Sequence, residues 1–188
     1  VEIKALSDVC CTSSNAVKIA NKLPPDKGII FVPDQHLGSY VQEKTGRRMV
    51  LWKGFCPTHH HITPEMVEKA RSKYPEALIL IHPEAPSESR ALADHVFSTG
   101  EMCAFVKESS HTHFTIATET GILHTLRKAN PGKFFNALSE DIICPNMKKN
   151  TLVSVRNALT GSGGELIELD KEISRKAERS LRAMLEMS

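Results

Sequence analysis

The stretch Ala77-Leu78-Ile79-Leu80-Ile81-His82-Pro83-Glu84 decides the fold class. A short apolar run closed by a proline-fixed loop reads as a strand. Just before it, Thr63-Pro64-Glu65 starts a helix: a capping hydroxyl, proline at the first helical position, and a carboxylate in the first turn. The same alternation continues in both directions. Further strands are expected over Ile29–Val32, Met49–Trp52, Phe114–Ala117 and Phe134–Ala137. Helices are expected over Asn15–Leu23, Gly38–Lys44, Pro64–Tyr74, Gly100–Glu108, Gly121–Lys128, Thr151–Leu159 and Lys171–Leu185. Strand–helix alternation argues for α/β architecture with parallel layers. Leu181, Met184 and Leu185 are the expected core contacts of the last helix, which Gly161-Ser162-Gly163-Gly164 sets apart as a separately docked tail.

The chain also repeats itself. Glu2-x-x-Ala5-Leu6-Ser7-Asp8 returns 86 residues later as Glu88-x-x-Ala91-Leu92-Ala93-Asp94, and each copy leads into a run of small hydroxyl residues. Cys56-Pro57 precedes Thr63 by seven residues, and Cys144-Pro145 precedes Thr151 by the same gap. A long-period repeat of this kind marks duplicated structural units. Two units of roughly 87 residues are visible, each ending in a Cys-Pro loop; two ordinary α/β units sharing turn chemistry are the alternative. The second copy is preceded by the strand Ala77–Ile81 and its loop, whereas the first begins at Val1, so the front of the first unit is expected to lie upstream. The expected divisions are 1–56 (the later part of one α/β repeat), 57–144 (a complete repeat) and 145–188 (a helical segment belonging with a first domain that is largely missing).

Composition sets wide bounds. With 24 Lys+Arg against 22 Asp+Glu, and basic residues scattered, the chain carries no electrostatic footprint for nucleic acid. No apolar run approaches the roughly 20 residues of a membrane helix, and no signal peptide opens the sequence. A cytoplasmic protein with neither nucleic-acid nor membrane partners is expected. Five cysteines without a secretion signal favour reduced thiols, metal binding or catalysis over a disulfide framework.

Ligands of parallel α/β folds bind beyond the carboxyl ends of the strands. The loops that fall there hold Asp34 and His36, Cys56, His82-Pro83-Glu84, Ser98-Thr99-Gly100, Thr118-Glu119-Thr120 and Cys144. Cys56 and Cys144 occupy equivalent points of the repeat. Converging thiolates would bind a soft metal or an iron–sulfur cluster, with a further ligand from the absent unit. Cysteine is also a common packed hydrophobe, the reading given to Cys10, Cys11 and Cys103. His59-His60-His61 follows Cys56 closely; the three cannot all face one metal, so at least one is a surface or cap residue. His82 and Glu84 supply an imidazole and a carboxylate within one tight loop, the equipment of acid–base chemistry or of an ordinary structural turn. Thr12-Ser13-Ser14 and Ser98-Thr99-Gly100 each open a helix, where hydroxyls and free N–H groups serve as an anion site or simply as caps.

Together these motifs resemble those of the quinolinate synthase family: Cys-Thr-Ser-Ser-Asn-Ala (11–16), Pro-Asp-x-x-Leu-Gly (33–38), Gly-Phe-Cys-Pro-Thr-His (54–59), Ile-His-Pro-Glu (81–84), Ser-Thr-Gly (98–100), Thr-Glu-x-Gly-Ile (118–122) and Cys-Pro-Asn-Met-Lys (144–148). They run in order over essentially the whole chain. The resemblance implies repeated three-layer α/β units related by a pseudo-threefold axis, each giving one cysteine to a [4Fe–4S] cluster. It makes Cys56 and Cys144 two of three ligands and leaves one iron open as a Lewis acid. It places Ser13, His82, Glu84, Ser98 and Thr99 at the substrate's carboxylates and the intermediate, and His59 and Met147 along the cavity. The catalytic set it implies is His82, Glu84 and His59, with Glu84 and His82 shuttling protons. The implied reaction of NAD biosynthesis condenses iminoaspartate with dihydroxyacetone phosphate and releases quinolinate, phosphate and two waters; functional coupling to L-aspartate oxidase follows from that substrate. The chain departs from the family in two respects. The first domain's histidine, its Tyr-x-Asn strand and the first cysteine ligand are absent, and Ser139, Glu140, Asp141, Ile142 and Ile143 precede Cys144, so the extra cysteine pair of the Cys-x-x-Cys-x-x-Cys run that some members carry is lacking.

Two other readings stay open on the residues alone. One is a non-catalytic zinc module using Cys56, His59 or His61, and Cys144. The other is a sugar-phosphate or nucleotide-binding α/β protein in which no cysteine matters.

Overall fold

A computed structural model describes residues 1–188. The chain divides into two compact units, Thr12–Ile143 and a second made of Val1–Cys11 with Cys144–Ser188.

In the larger unit, β1 (Ile29–Phe31) and β2 (Met49–Leu51) form a parallel pair in the register Ile29↔Met49. Four further strands form a second parallel sheet: β3 (Leu78–Ile81), β4 (His95–Val96), β5 (His113–Ala117) and β6 (Phe134–Ala137), in the order β4-β3-β5-β6. All five strands expected from the sequence are present. The short strand β4 was not among them; two residues leave no readable alternation.

β3 lies at the centre of the four-stranded sheet, and alternation of side chains across a strand sends its residues to both faces. Leu80 joins Met102, Val106, Phe114, Ile116, Leu123, Leu126 and Phe135 in one core. Ile79 and Ile81 join Ile62, Val67, Ala85, Ala117 and Ile142 in the other. Helices α7 (Thr99–Glu108) and α8 (Ile122–Ala129) supply the first core, and α5 (Pro64–Lys73) supplies Val67 to the second. The sheet is thus sandwiched between helical layers, the arrangement parallel strands need because both their faces are apolar. α5 starts as its sequence dictates, with Thr63 Oγ accepting from the Met66 N–H and Pro64 in the first turn.

The remaining helices of this unit are α2 (Ala16–Lys22), α3 (Gln35–Thr45), α4 (Pro57–His60) and α6 (Ser87–Arg90). α3 packs closely on β1 and β2 through Gly38, where a methyl group would stand 2.6 Å from Leu51 Cδ2. The order of elements recurs. α2-β1-α3-β2 and then Cys56 is matched by α7-β5-α8-β6 and then Cys144.

In the smaller unit α1 (Glu2–Leu6) packs on α10 (Lys171–Met187). Small side chains make the contact: Ala5, Ala177 and Ser180 are buried, and Ser180 Oγ donates to the Lys4 carbonyl at 2.8 Å. This corrects the expectation for the last helix. Leu181 and Met184 are only half-buried and Leu185 is 68% exposed, because the close approach of two helices favours the small residues. Cys144 precedes a 3-10 turn at Met147–Lys149, followed by α9 (Leu152–Leu159). No helix is long and apolar enough to cross a membrane.

Candidate functional site

Within the larger unit the loops after β2, β3 and β5 bring four of the sequence-nominated side chains together. Cys56 is the residue before α4, and Pro57 at the first helical position fixes the turn. Its backbone N–H donates to Asp34 Oδ2 at 2.7 Å, while Asp34 Oδ1 accepts from the Leu37 N–H at 2.8 Å. One buried carboxylate therefore caps α3 and holds the cysteine turn. Gly54 is required here: a methyl on it would collide with the Pro33 carbonyl oxygen.

His59 lies one turn after Cys56 and is buried. Its Nδ1 is 2.9 Å from Glu84 Oε2 and its Nε2 is 2.8 Å from Thr118 Oγ1. The His82 ring stacks on it, with centroids 4.2 Å apart and planes at 13°. His82 Nδ1 lies 3.7 Å from the same Glu84 oxygen. The ligand atoms of Cys56, His59 and Glu84 all lie within 4.8 Å of one another.

The electrostatics assign protonation states to the metal-free cluster. Burial alone would lower the His59 pKa, but hydrogen bonds to Cys56 and Glu84 outweigh it and push the imidazole up to about 9. The hydrogen bond with His59 draws the Cys56 thiol below its ordinary value against the effect of burial. Burial works to raise Glu84; the His59 hydrogen bond and the nearby His82 overcome it and hold the carboxyl low. His82 is pushed down to about 4, by burial first and by the His59 charge second. At neutral pH the cluster therefore holds an imidazolium between a carboxylate and a thiol of raised acidity, with a neutral imidazole stacked against it. Both nitrogens of that imidazolium donate, one to Glu84 and one to Thr118.

The three consecutive histidines separate as their spacing requires. His59 points inward, His60 pairs with His36 (Nδ1 to Nε2, 2.8 Å) and stacks on Phe55 at 4.0 Å, and His61 is exposed. At the start of α7 the Ser98 hydroxyl is taken up by a capping box, donating to Glu101 Oε2 at 2.6 Å, and Thr99 is exposed. Ser13 is half-buried in the turn before α2. Cys144 and Met147 belong to the smaller unit, Cys144 half-buried and Met147 exposed. Two partners of these side chains carry no local signal of their contacts. Thr118 stood in a loop grouped by position without an assigned contact, and Asp34 was one polar residue in a turn motif. Both act through contacts 59 and 22 residues away in sequence, which no local pattern reveals.

The family model described as quinolinate synthetase A protein matches residues 1–186. The chain belongs to the quinolinate synthase family. Among curated relatives it is 50% identical over 186 residues to a quinolinate synthase of Caldicellulosiruptor bescii, covering 98% of this chain and 61% of that protein. It is 46% identical over 187 residues to one of Alkaliphilus metalliredigens, covering 99% and 61%. It is 44% identical over 183 residues to one of Methanoregula boonei, covering 97% and 60%. The chain thus spans about 61% of the length of the quinolinate synthases it matches.

The family resemblance implies an iron–sulfur cluster. Cys56 fits it: the thiol is half-buried, its acidity is raised by His59, and its loop is fixed by Asp34 and Pro57. Thiolate is the form that iron binds.

Proposed function

We propose that this chain contributes an acid–base set of Glu84, His59 and His82, together with the ligands Cys56 and Cys144, to the active site of a quinolinate synthase. The intact enzyme condenses iminoaspartate with dihydroxyacetone phosphate, releasing quinolinate, phosphate and two waters. The observation that carries this reading is the convergence of Cys56, His59 and Glu84, with His59 hydrogen-bonded to Glu84 and His82 stacked beside them. It assembles a soft-metal ligand and a proton relay at the carboxyl edge of the sheet.

The parts divide by charge. Glu84, held ionised, is suited to take a proton; His59, held as imidazolium, is suited to return one through the 2.9 Å bond between them. His82, neutral at working pH, can hydrogen-bond a substrate carboxyl or hydroxyl without adding charge. Ser13, Ser98 and Thr99 at helix starts are proposed to hold the anionic groups of substrate, and Met147 to line the cavity. A [4Fe–4S] cluster with one open iron would supply Lewis acidity towards a carboxylate and a departing hydroxyl. The recurring order of elements before Cys56 and Cys144 supports repeated units about a pseudo-threefold axis. Supply of iminoaspartate implies functional coupling to L-aspartate oxidase in the cytoplasm.

Glu84→Gln in the intact protein is the test. Quinolinate formation should fall by roughly 10²- to 10⁴-fold, the usual worth of a positioned general base, with iron content unchanged. Undiminished turnover would reject the role of Glu84. A second reading, mononuclear zinc held by Cys56, His59 and Glu84, is favoured by the 4.8 Å spread of their ligand atoms. Stoichiometric zinc without iron after anaerobic reconstitution with both metals would establish it.

A further inference from the structure

Arg90 is the one fully buried arginine of the site region, and none of the proposed chemistry uses it. Its side chain is 3% exposed. Nη1 donates to three main-chain carbonyls: Ala85 at 2.7 Å, His36 at 3.2 Å and Pro83 at 3.3 Å. Nη2 donates to Glu43 Oε1 at 2.6 Å, and the guanidinium carbon sits 5.6 Å from the centre of the Tyr40 ring. Nε is buried with no partner.

The choice of acceptors is informative. Pro83 and Ala85 flank Glu84, so one nitrogen holds the carbonyls of the residues on either side of the proposed base. The loop is otherwise secured from within, by Ala85 N–H to the His82 carbonyl at 3.0 Å and Glu84 N–H to His82 Nδ1 at 3.3 Å. The third acceptor, His36, lies two residues after Asp34, which fixes the Cys56 turn. The guanidinium therefore ties together the two loops that place the thiol and the carboxylate. Burying a cation opposite a single carboxylate that is itself 49% exposed is costly. An orphaned N–H adds to that cost. An apolar side chain of equal volume would fill the space at less expense, but only a planar fork of donors can fix several carbonyls at once.

We propose that Arg90 is a positioning residue that sets the height and direction of Glu84 towards His59 by clamping the Pro83 and Ala85 carbonyls. This rests on the acid–base role of Glu84 given above.

The experiment compares Arg90→Met, Arg90→Lys, Glu84→Gln and the double variant Arg90→Met/Glu84→Gln. Amide hydrogen exchange on this chain is the first readout. Arg90→Met should speed exchange about tenfold at the His82, Glu84 and Ala85 amides while leaving β3 and β5 protected, as expected for loss of a local clamp. Arg90→Lys, which offers a point charge in place of a fork, should give an intermediate acceleration. Kinetics of the intact protein are the second. Arg90→Met should lower kcat at least tenfold with KM within about threefold, and the double variant should be no slower than Glu84→Gln alone. Multiplying defects, or faster exchange throughout the sheet, would make Arg90 a general stabiliser and overturn the proposal; if Arg90→Met misfolds, Arg90→Lys carries the same comparison. Wild-type kinetics in Arg90→Met beside an impaired Glu84→Gln would overturn it while leaving the base intact. An unimpaired Glu84→Gln would remove the base, and the clamp's catalytic purpose with it.

Discussion

At the scale of single residues, the two stacked imidazoles carry opposite demands. His59 is held protonated by its partners, whereas His82 is held neutral by burial. The consequences for stability have opposite sign. Unfolded His82 takes up a proton near pH 6.5, but the folded residue resists until about pH 4. Its contribution is therefore complete above pH 6.5 and is lost as pH falls through that window. His59, raised to about 9, binds its proton in both states below pH 6.5 and stays constant there. Half-buried His36, lowered by desolvation, adds to the His82 effect with the same sign. Urea unfolding of the metal-free chain should accordingly weaken by roughly 3 kcal/mol or less between pH 6.5 and 4 on account of His82. His82→Gln should flatten that slope relative to the parent. Parallel slopes for the two proteins would show that burial does not govern His82.

At the scale of elements, close approach decides what the site tolerates. The turn Gly54-Phe55-Cys56 runs against the Pro33-Asp34 loop so tightly that the Gln35 N–H donates to the Gly54 carbonyl at 2.8 Å. A methyl at Gly54 meets backbone, and at Gly38 it meets the end of the Leu51 side chain and the Phe31 ring. Both replacements by alanine should destabilise by about 1–3 kcal/mol in thermal unfolding. Only Gly54→Ala should also loosen the Asp34–Cys56 bond, seen as faster exchange of the Cys56 amide; equal exchange in the two variants would deny the coupling. The elements themselves were largely readable. Strands rich in Ile, Leu and Phe, and a helix begun by Thr63-Pro64-Glu65, announce themselves through short-range chemistry. The four-residue helices α4 and α6 did not, because one turn offers no period to detect. The Ser98-x-x-Glu101 spacing of a capping box was present in the sequence, yet the same hydroxyls also suited an anion site, and only coordinates show where the Ser98 oxygen is bonded. His59, His82, Glu84 and Cys56 could be nominated because loops at one sheet edge converge. Asp34 and Thr118 sit in those same loops, but their contacts, like those of Arg90, are fixed by tertiary packing and leave no local signal.

At the scale of the whole molecule, four of the five thiols sort by environment. Burial, with a smaller push from neighbouring Cys10, raises the Cys11 pKa to about 11. Cys103 packs against the core built on Leu80 and Phe114. Cys10 Sγ lies 3.3 Å from Ser180 Oγ in the contact between α1 and α10. A hydrogen-bonding imidazole draws Cys56 below its ordinary value. Thiolate fraction governs both alkylation and metal binding. In the metal-free chain, limiting iodoacetamide at pH 7 should therefore modify Cys56 before Cys11, and His59→Gln should slow Cys56 several-fold. The same sorting bears on the cluster. In the intact protein, reconstituted anaerobically with iron and sulfide, Cys56→Ala and Cys144→Ala should each abolish the iron–sulfur absorbance, whereas Cys103→Ala should keep it along with the parent's iron content. An unchanged spectrum in Cys144→Ala would mean that the repeat places a cysteine there without using it. Zinc retained by Cys144→Ala but lost from Cys56→Ala would instead identify the site formed by Cys56, His59 and Glu84 as the metal centre.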